Sequence, residues 1–131
     1  MKSLKLTLLI FLTVAVNLVS SCKPSPSDDS SLLTPEELVS KQAELTIIDV
    51  RTPAEFEGGH LENAININLY GPDFKAKLET LDKSKAVSVY CKVGGRSAKA
   101  AEVMREMGFE EVYDLEGGIR NWKKQGKKIV K

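Results

Sequence analysis

Sulfur and imidazole are scarce in this chain. Its 131 residues hold two cysteines, Cys22 and Cys91, and one histidine, His60. So few soft ligands cannot make a Cys/His metal set, and no metal site is expected. There is no Cys-x-x-Cys, so a dithiol redox centre is excluded as well. Charge of one sign is also lacking. The 19 lysines and arginines are matched by 18 aspartates and glutamates, for a formal net charge of +1. That balance gives no electrostatic footprint for nucleic acid. Long apolar runs are missing after the first twenty residues. Leu6 to Val16, broken by Thr7 and Thr13, is shorter than the roughly 20 residues of a spanning helix.

That early run has the build of a targeting signal. Lys2 and Lys5 form a charged start, the apolar stretch follows, and Val19-Ser20-Ser21-Cys22 closes it. The closing tetrapeptide resembles the lipobox of bacterial lipoproteins. The resemblance implies a signal peptide over 1–21, cleavage before Cys22, and lipidation of Cys22. An ordinary secretory signal or an uncleaved anchor is the alternative reading. Two or three acyl chains give firm anchoring, which places the protein on the export side of a bacterial membrane, in the periplasm or at an outer-membrane face. Lys23 after Cys22 lacks the aspartate that commonly retains lipoproteins at the inner membrane. Loss of Lys2 and Lys5 takes the 19 basic residues to 17, against 18 acidic ones. If Cys22 carries lipid, Cys91 is the remaining thiol. An unpaired thiol in an exported protein is a hazard unless it is used.

Residues 22–31 are rich in Pro, Ser and Asp and read as a flexible tether, leaving 32–131 as one domain. Thr34-Pro35-Glu36-Glu37 is a helix start, with Thr as N-cap, Pro first and Glu third. Apolar runs at Leu45 to Val50, Ala64 to Ile67, Ala86 to Tyr90 and Val112 to Leu115 predict strands. Helical patterns lie at Pro53 to Glu57, Phe74 to Leu81, Ser97 to Met107 and Ile119 to Gln125. Strands alternating with helices predict an α/β fold with a largely parallel sheet. Ligands of such sheets bind beyond the carboxyl ends of the strands. Asp49-Val50-Arg51, Cys91 and Glu116-Gly117-Gly118 all fall at strand ends.

Cys91-Lys92-Val93-Gly94-Gly95-Arg96-Ser97 carries the clearest chemistry. A cysteine at a strand end, on a glycine-bearing loop before a helix, meets unpaired N–H groups and a positive dipole end. Successive loop amides add a nest for an anion. A thiol in that setting is held as thiolate. Gly94 and Gly95 permit backbone angles that other residues resist. Lys92 and Arg96 add positive charge.

These segments resemble the rhodanese family, specifically its single-domain sulfurtransferases. The resemblance spans roughly Leu33 to Trp122. It rests on Ile48-Asp49-Val50-Arg51 with Glu55-Phe56, Gly59-His60-Leu61 with Ala64-Ile65-Asn66, the Cys91 loop, Gly108-Phe109, and Leu115-Glu116-Gly117-Gly118-Ile119 with Trp122. It implies a five-stranded parallel sheet flanked by helices, acting as a monomer without a cofactor. It implies that Cys91 takes sulfur from a small anionic donor such as thiosulfate and passes it, through a persulfide, to cyanide or a thiol. Lys92, Val93, Gly94, Gly95, Arg96 and Ser97 are then the substrate-binding loop. Family loops of this six-residue length, Cys91 to Arg96, handle sulfur; related phosphatases and arsenate reductases have one residue more. The competing readings are a non-enzymatic sulfur carrier or binding module, and a small phosphatase or arsenate reductase.

The other marked residues read as support. Asp49 and Arg51 brace the rim through hydrogen bonds and an ion pair, with Glu55 as a further partner. His60 fixes a turn rather than serving as a base. Trp122 and Tyr113 pack. Gly117-Gly118 permits a tight turn and close backbone approach. The lysines at 123, 124, 127, 128 and 131 form a solvated face.

Overall fold

The computed structural model describes residues 31–131. The expected signal over 1–21, the Cys22 lipidation site and the tether up to residue 30 lie outside the described residues. Ten elements alternate along the chain. They are β1 (Leu32–Leu33), α1 (Pro35–Lys41), β2 (Thr46–Asp49), α2 (Pro53–Glu57), β3 (Ile65–Asn66), α3 (Phe74–Glu79), β4 (Val87–Tyr90), α4 (Gly95–Glu106), β5 (Val112–Leu115) and α5 (Gly118–Lys124). The five strands form one sheet in the order β1-β5-β4-β2-β3. Every pairing in it is parallel, as the βαβ alternation requires.

Period-two alternation sends neighbouring strand residues to opposite layers. Ile48, Val50, Val87, Val89, Cys91 and Val112 face one way and pack on Phe74 and Leu78 of α3 and on Ala100, Ala101 and Met104 of α4. Ile47, Tyr90 and Leu115 face the other way, against Leu38 of α1 and Ile119 and Trp122 of α5. The sheet is therefore covered on both faces, which explains why β4 is buried at all four positions. Cys91 continues the β4 pattern, so its side chain points into the α3/α4 layer.

Two helices start on the same four-residue device. Thr34 accepts from the Glu37 N–H while Glu37 reaches back to the Thr34 N–H, and Thr52 and Glu55 repeat the arrangement at α2. Proline fills the first position in both. At the far end of the chain, Val130 forms an antiparallel bridge with His60, closing the tail onto the rim beside α2.

Candidate active site

The strand ends place three segments on one rim. Val50 N–H donates to the Tyr90 carbonyl at 3.0 Å, which ties the segment after β2 to the end of β4. Ile119 N–H donates to the Cys91 carbonyl at 2.9 Å, and Arg120 N–H donates to the Lys92 carbonyl at 3.1 Å. The first amides of α5 thus satisfy loop carbonyls. In a trans peptide the N–H points opposite to the C=O. Turning these carbonyls toward α5 turns the following amides, those of Lys92 and Val93, away from it.

This close docking depends on glycine. Gly117 and Gly118 have φ of +70° and +60°, and a Cβ at Gly118 would stand 2.6 Å from the Cys91 carbonyl oxygen. A side chain there would meet backbone, which cannot swing aside. Gly94, the α4 N-cap, has φ +123°. Gly95 differs from expectation: its φ is not positive, and a Cβ would meet open space. Within the loop the unusual turn falls on Gly94 alone.

Cys91 is 1 % exposed. Its Sγ receives the Gly94 N–H at 3.0 Å and lies 3.4 Å from the Ser97 hydroxyl. Ser97 Oγ also lies 3.1 Å from the Gly94 carbonyl, so one hydroxyl proton serves two acceptors. Burial pushes the thiol up. The Ser97 hydroxyl and the amides of Ser97, Gly94 and Val93 outweigh that effect, and the Cys91 thiol ends below its usual value. The result is a sulfur whose anionic form is favoured by preset donors at the start of a twelve-residue helix.

Arg96 sits at the mouth of the loop, with its charge already engaged. Its Nη1 and Nη2 donate to the two Glu55 carboxylate oxygens at 2.7 and 2.8 Å. The Arg96 guanidinium in turn holds the Glu55 carboxyl down at about 2. The pair stays ionised in any ordinary buffer. This fork-on-fork contact fixes the guanidinium plane. Arg96 is accordingly a positioned donor rather than a free cation. The expected contact between Glu55 and Arg51 does not form, because Glu55 is spent on Thr52 and Arg96.

Asp49 and Arg51 pair with each other instead. Arg51 Nη2 donates to Asp49 Oδ2 at 2.6 Å and to the Gly59 carbonyl at 2.8 Å, and Asp49 is fully buried. The Arg51 guanidinium carbon lies 5.6 Å from the centre of the Tyr90 ring, and the Tyr90 hydroxyl accepts the Leu61 N–H at 3.1 Å. Burial drives the Tyr90 phenol well above its usual value. These residues brace the rim and do not touch the sulfur. His60 lies within hydrogen-bond distance of the Phe56 carbonyl through Nδ1, at 2.9 Å, and stacks on the Phe56 ring, which fits a turn-fixing role. Lys92 and Val93 are exposed.

Two residues on the rim carry more weight than their sequence context suggested. Glu55 is one; its Thr52-Pro53-Ala54-Glu55 start repeats the pattern at Thr34. Asp114, in the middle of buried β5, is the other. It is 7 % exposed, its Oδ1 is buried without a hydrogen-bond partner, and burial lifts its carboxyl to about 6 against the pull of the Ser97 hydroxyl and the Arg105 charge. An acidic residue inside an otherwise apolar strand is the signal that marks it.

Comparison with known proteins agrees with this geometry. Residues 34–125 match the family described as the rhodanese-like domain. A thiosulfate sulfurtransferase of Coxiella burnetii is 41% identical over 91 residues, covering 66% of this chain and 78% of the relative. A tRNA uridine(34) hydroxylase of Teredinibacter turnerae is 34% identical over 107 residues, covering 79% of this chain but only 31% of that longer protein. The crystal structure of a rhodanese-related protein from Thermoplasma volcanium superposes with a TM-score of 0.69 at 33% identity, covering 75% of this chain and 95% of that one.

Proposed function

The chain belongs to the rhodanese-like domain family, and on that premise we propose that it is a sulfurtransferase working through a Cys91 persulfide. The Cys91 thiolate attacks the outer sulfur of a donor such as thiosulfate. A bond forms between Sγ and that sulfur, the donor S–S bond breaks, and sulfite leaves with the electron pair. A nucleophilic acceptor then attacks the outer sulfur of the persulfide and releases the Cys91 thiolate. Loop amides hold the negative charge at each stage, as preset donors do in other acyl- and group-transfer sites. Arg96, held flat by Glu55, adds positive charge near the sulfur that favours loss of the anionic sulfite.

One observation carries this reading: a buried sulfur that receives the Gly94 N–H at 3.0 Å and lies 3.4 Å from the Ser97 hydroxyl, donors that favour its anion. A structural cysteine has no use for these donors. A phosphatase or arsenate reductase on this fold is the other reading, set against by the six-residue loop. The test is direct. Purified protein incubated with thiosulfate gains one sulfur atom on the peptide containing Cys91, and cyanide then removes it as thiocyanate. Phosphate-ester hydrolysis with no sulfur on Cys91 would reverse the assignment.

We also propose, from the sequence at Val19 to Cys22, that the domain is carried on a lipid anchor at Cys22 on the export side of the membrane. Cys22→Ala releases the protein from the membrane fraction or blocks its processing. Wild-type protein that fractionates as soluble, with no acyl mass on Cys22, would overturn the anchor and leave the chemistry of Cys91 unaffected.

A further inference from the structure

The chemistry at Cys91 leaves a buried carboxyl without a task. Asp114 lies within β5, 7 % exposed, and its Oδ1 meets no hydrogen-bond partner among the described residues. Burying an ionisable group in that state costs stability, so its presence calls for a reason.

The register of the sheet puts Asp114 beside the sulfur. Asp114 pairs with Val89 of β4, and Cys91 stands two residues farther along that chain. Side chains two residues apart share a face of the sheet. Val112, Val89 and Cys91 all pack in the α3/α4 layer, so Asp114, two residues after Val112, belongs to the same face. With strands about 4.8 Å apart and a rise of about 3.3 Å per residue, Asp114 and Cys91 are diagonal neighbours, roughly 8 Å apart at Cα. Ser97 of α4 reaches both groups. Its hydroxyl is buried, lies 3.4 Å from Cys91 Sγ and 3.1 Å from the Gly94 carbonyl, and also pulls on the Asp114 carboxyl.

Few other groups face this carboxyl. From α4, Arg105 acts through its charge while its Nη2 donates to the Val112 carbonyl at 2.9 Å. Lys99 and Glu102 of the same helix are exposed. From β4 the titratable neighbour on this face is Cys91, and from β1 the residue in register is Leu32. Burial lifts the carboxyl to about 6, so it changes charge within the range where a thiol site works.

We propose that Asp114 is a positioning residue for Cys91, acting through the Ser97 hydroxyl. That hydroxyl has one proton, and the sulfur, the Gly94 carbonyl and the carboxyl compete for it. A protonated Asp114 donates to Ser97 Oγ and leaves the Ser97 proton for the sulfur. An ionised Asp114 draws that proton to itself and weakens the donor on the sulfur. The neutral acid therefore supports the thiolate, and the carboxylate opposes it. This deepens the sulfurtransferase reading, since it rests on Cys91 as the reacting thiol and names a residue that tunes it.

The experiment times alkylation of Cys91 by iodoacetamide at pH 4.5 and pH 7. Asp114→Asn keeps the shape of the side chain and removes its charge. Cys91 in this variant should react as in wild type at pH 4.5 and about fivefold faster at pH 7. In a Ser97→Ala background the same substitution should change the rate by no more than about twofold at either pH. A ratio that does not vary with pH would be a packing effect and would overturn the role. A pH-dependent ratio that survives Ser97→Ala would mean that the charge acts on the sulfur through space, which overturns the route through Ser97. Alkylation needs no sulfur donor, so the two readings fail separately. Wild-type protein that takes no sulfur from thiosulfate overturns the sulfurtransferase reading, while the alkylation ratios still decide the part of Asp114.

Discussion

The helix starts of this domain fall into two kinds. α1 and α2 begin on threonine, whose side chain and a returning glutamate close the exposed amides. α4 and α5 begin on glycine, with no side-chain cap. The difference is functional. Amides at an open start remain available, and here they are used: those before and within the first turn of α4 serve the Cys91 sulfur, and those of α5 serve the loop carbonyls. A threonine cap would have consumed the same donors locally. α3 belongs to neither kind, since its Asp73 caps nothing and pairs with Lys77. The closed ends hold the frame, and the open ends hold the reacting atom.

The largest effect should come from removing the atom that the open end serves. Cys91→Ser keeps the shape of the loop but replaces an ionisable sulfur with a hydroxyl that stays protonated. Transfer of sulfur from thiosulfate to cyanide should fall by roughly four orders of magnitude or more, while the urea midpoint moves little. Substantial thiocyanate formation by this variant would place the chemistry elsewhere on the rim.

Next comes the contact between the two open ends. Gly118→Ala would place a methyl 2.6 Å from the Cys91 carbonyl oxygen and 2.7 Å from the Lys92 carbonyl, at φ +60°. Neither neighbour is a side chain that can turn away. Unfolding measured in urea should show a loss of about 3 kcal/mol or more. Gly126→Ala, also at positive φ but in open space, should cost only about 1–2 kcal/mol. If the two variants are equally destabilised, the close approach of α5 to the loop is not what Gly118 is for.

Much of the frame was legible in the sequence, and the reason is that it is written in local patterns. Apolar runs marked β2, β4 and β5, and Thr34-Pro35-Glu36-Glu37 marked a helix start. β1 escaped notice because Leu32–Leu33 is too short to show a period, and only its pairing with β5 makes it a strand. α4 begins two residues earlier than the pattern suggested, because Gly95 and Arg96 follow helical geometry behind the Gly94 turn. The partners in the site were less legible. Glu55 and Arg96 are 41 residues apart, and nothing local says that they meet.

Asp114 tests what a buried carboxyl in β5 costs the fold. Its carboxyl is raised from 3.8 to about 6, chiefly by burial. The native state therefore binds this proton more tightly than the unfolded chain does. Its contribution to stability is favourable near pH 4 and declines as the pH rises through 6. A shift of about two units corresponds to up to about 3 kcal/mol above that pH. Asp114→Asn should stabilise the protein by up to that amount at pH 8 and by almost nothing at pH 3.5, read from urea midpoints at the two values. A gain independent of pH would mean that charge burial is not the cause.

The smallest effect separates the two closed ends from each other. Thr34→Ala and Thr52→Ala each remove an N-cap that accepts the N–H three residues on, and each should cost about 1 kcal/mol in unfolding free energy. Glu37, the partner of Thr34, contacts nothing in the loop, so Thr34→Ala should leave kcat/KM for thiosulfate unchanged. Glu55, the partner of Thr52, also holds the Arg96 guanidinium. Freed from Thr52, it should let Arg96 wander, and kcat/KM should fall a few-fold, with the fall shared by no variant of α1. Equal kinetics for the two proteins would show that Arg96 keeps Glu55 in place without help, and that the cap on α2 is frame alone, like the cap on α1.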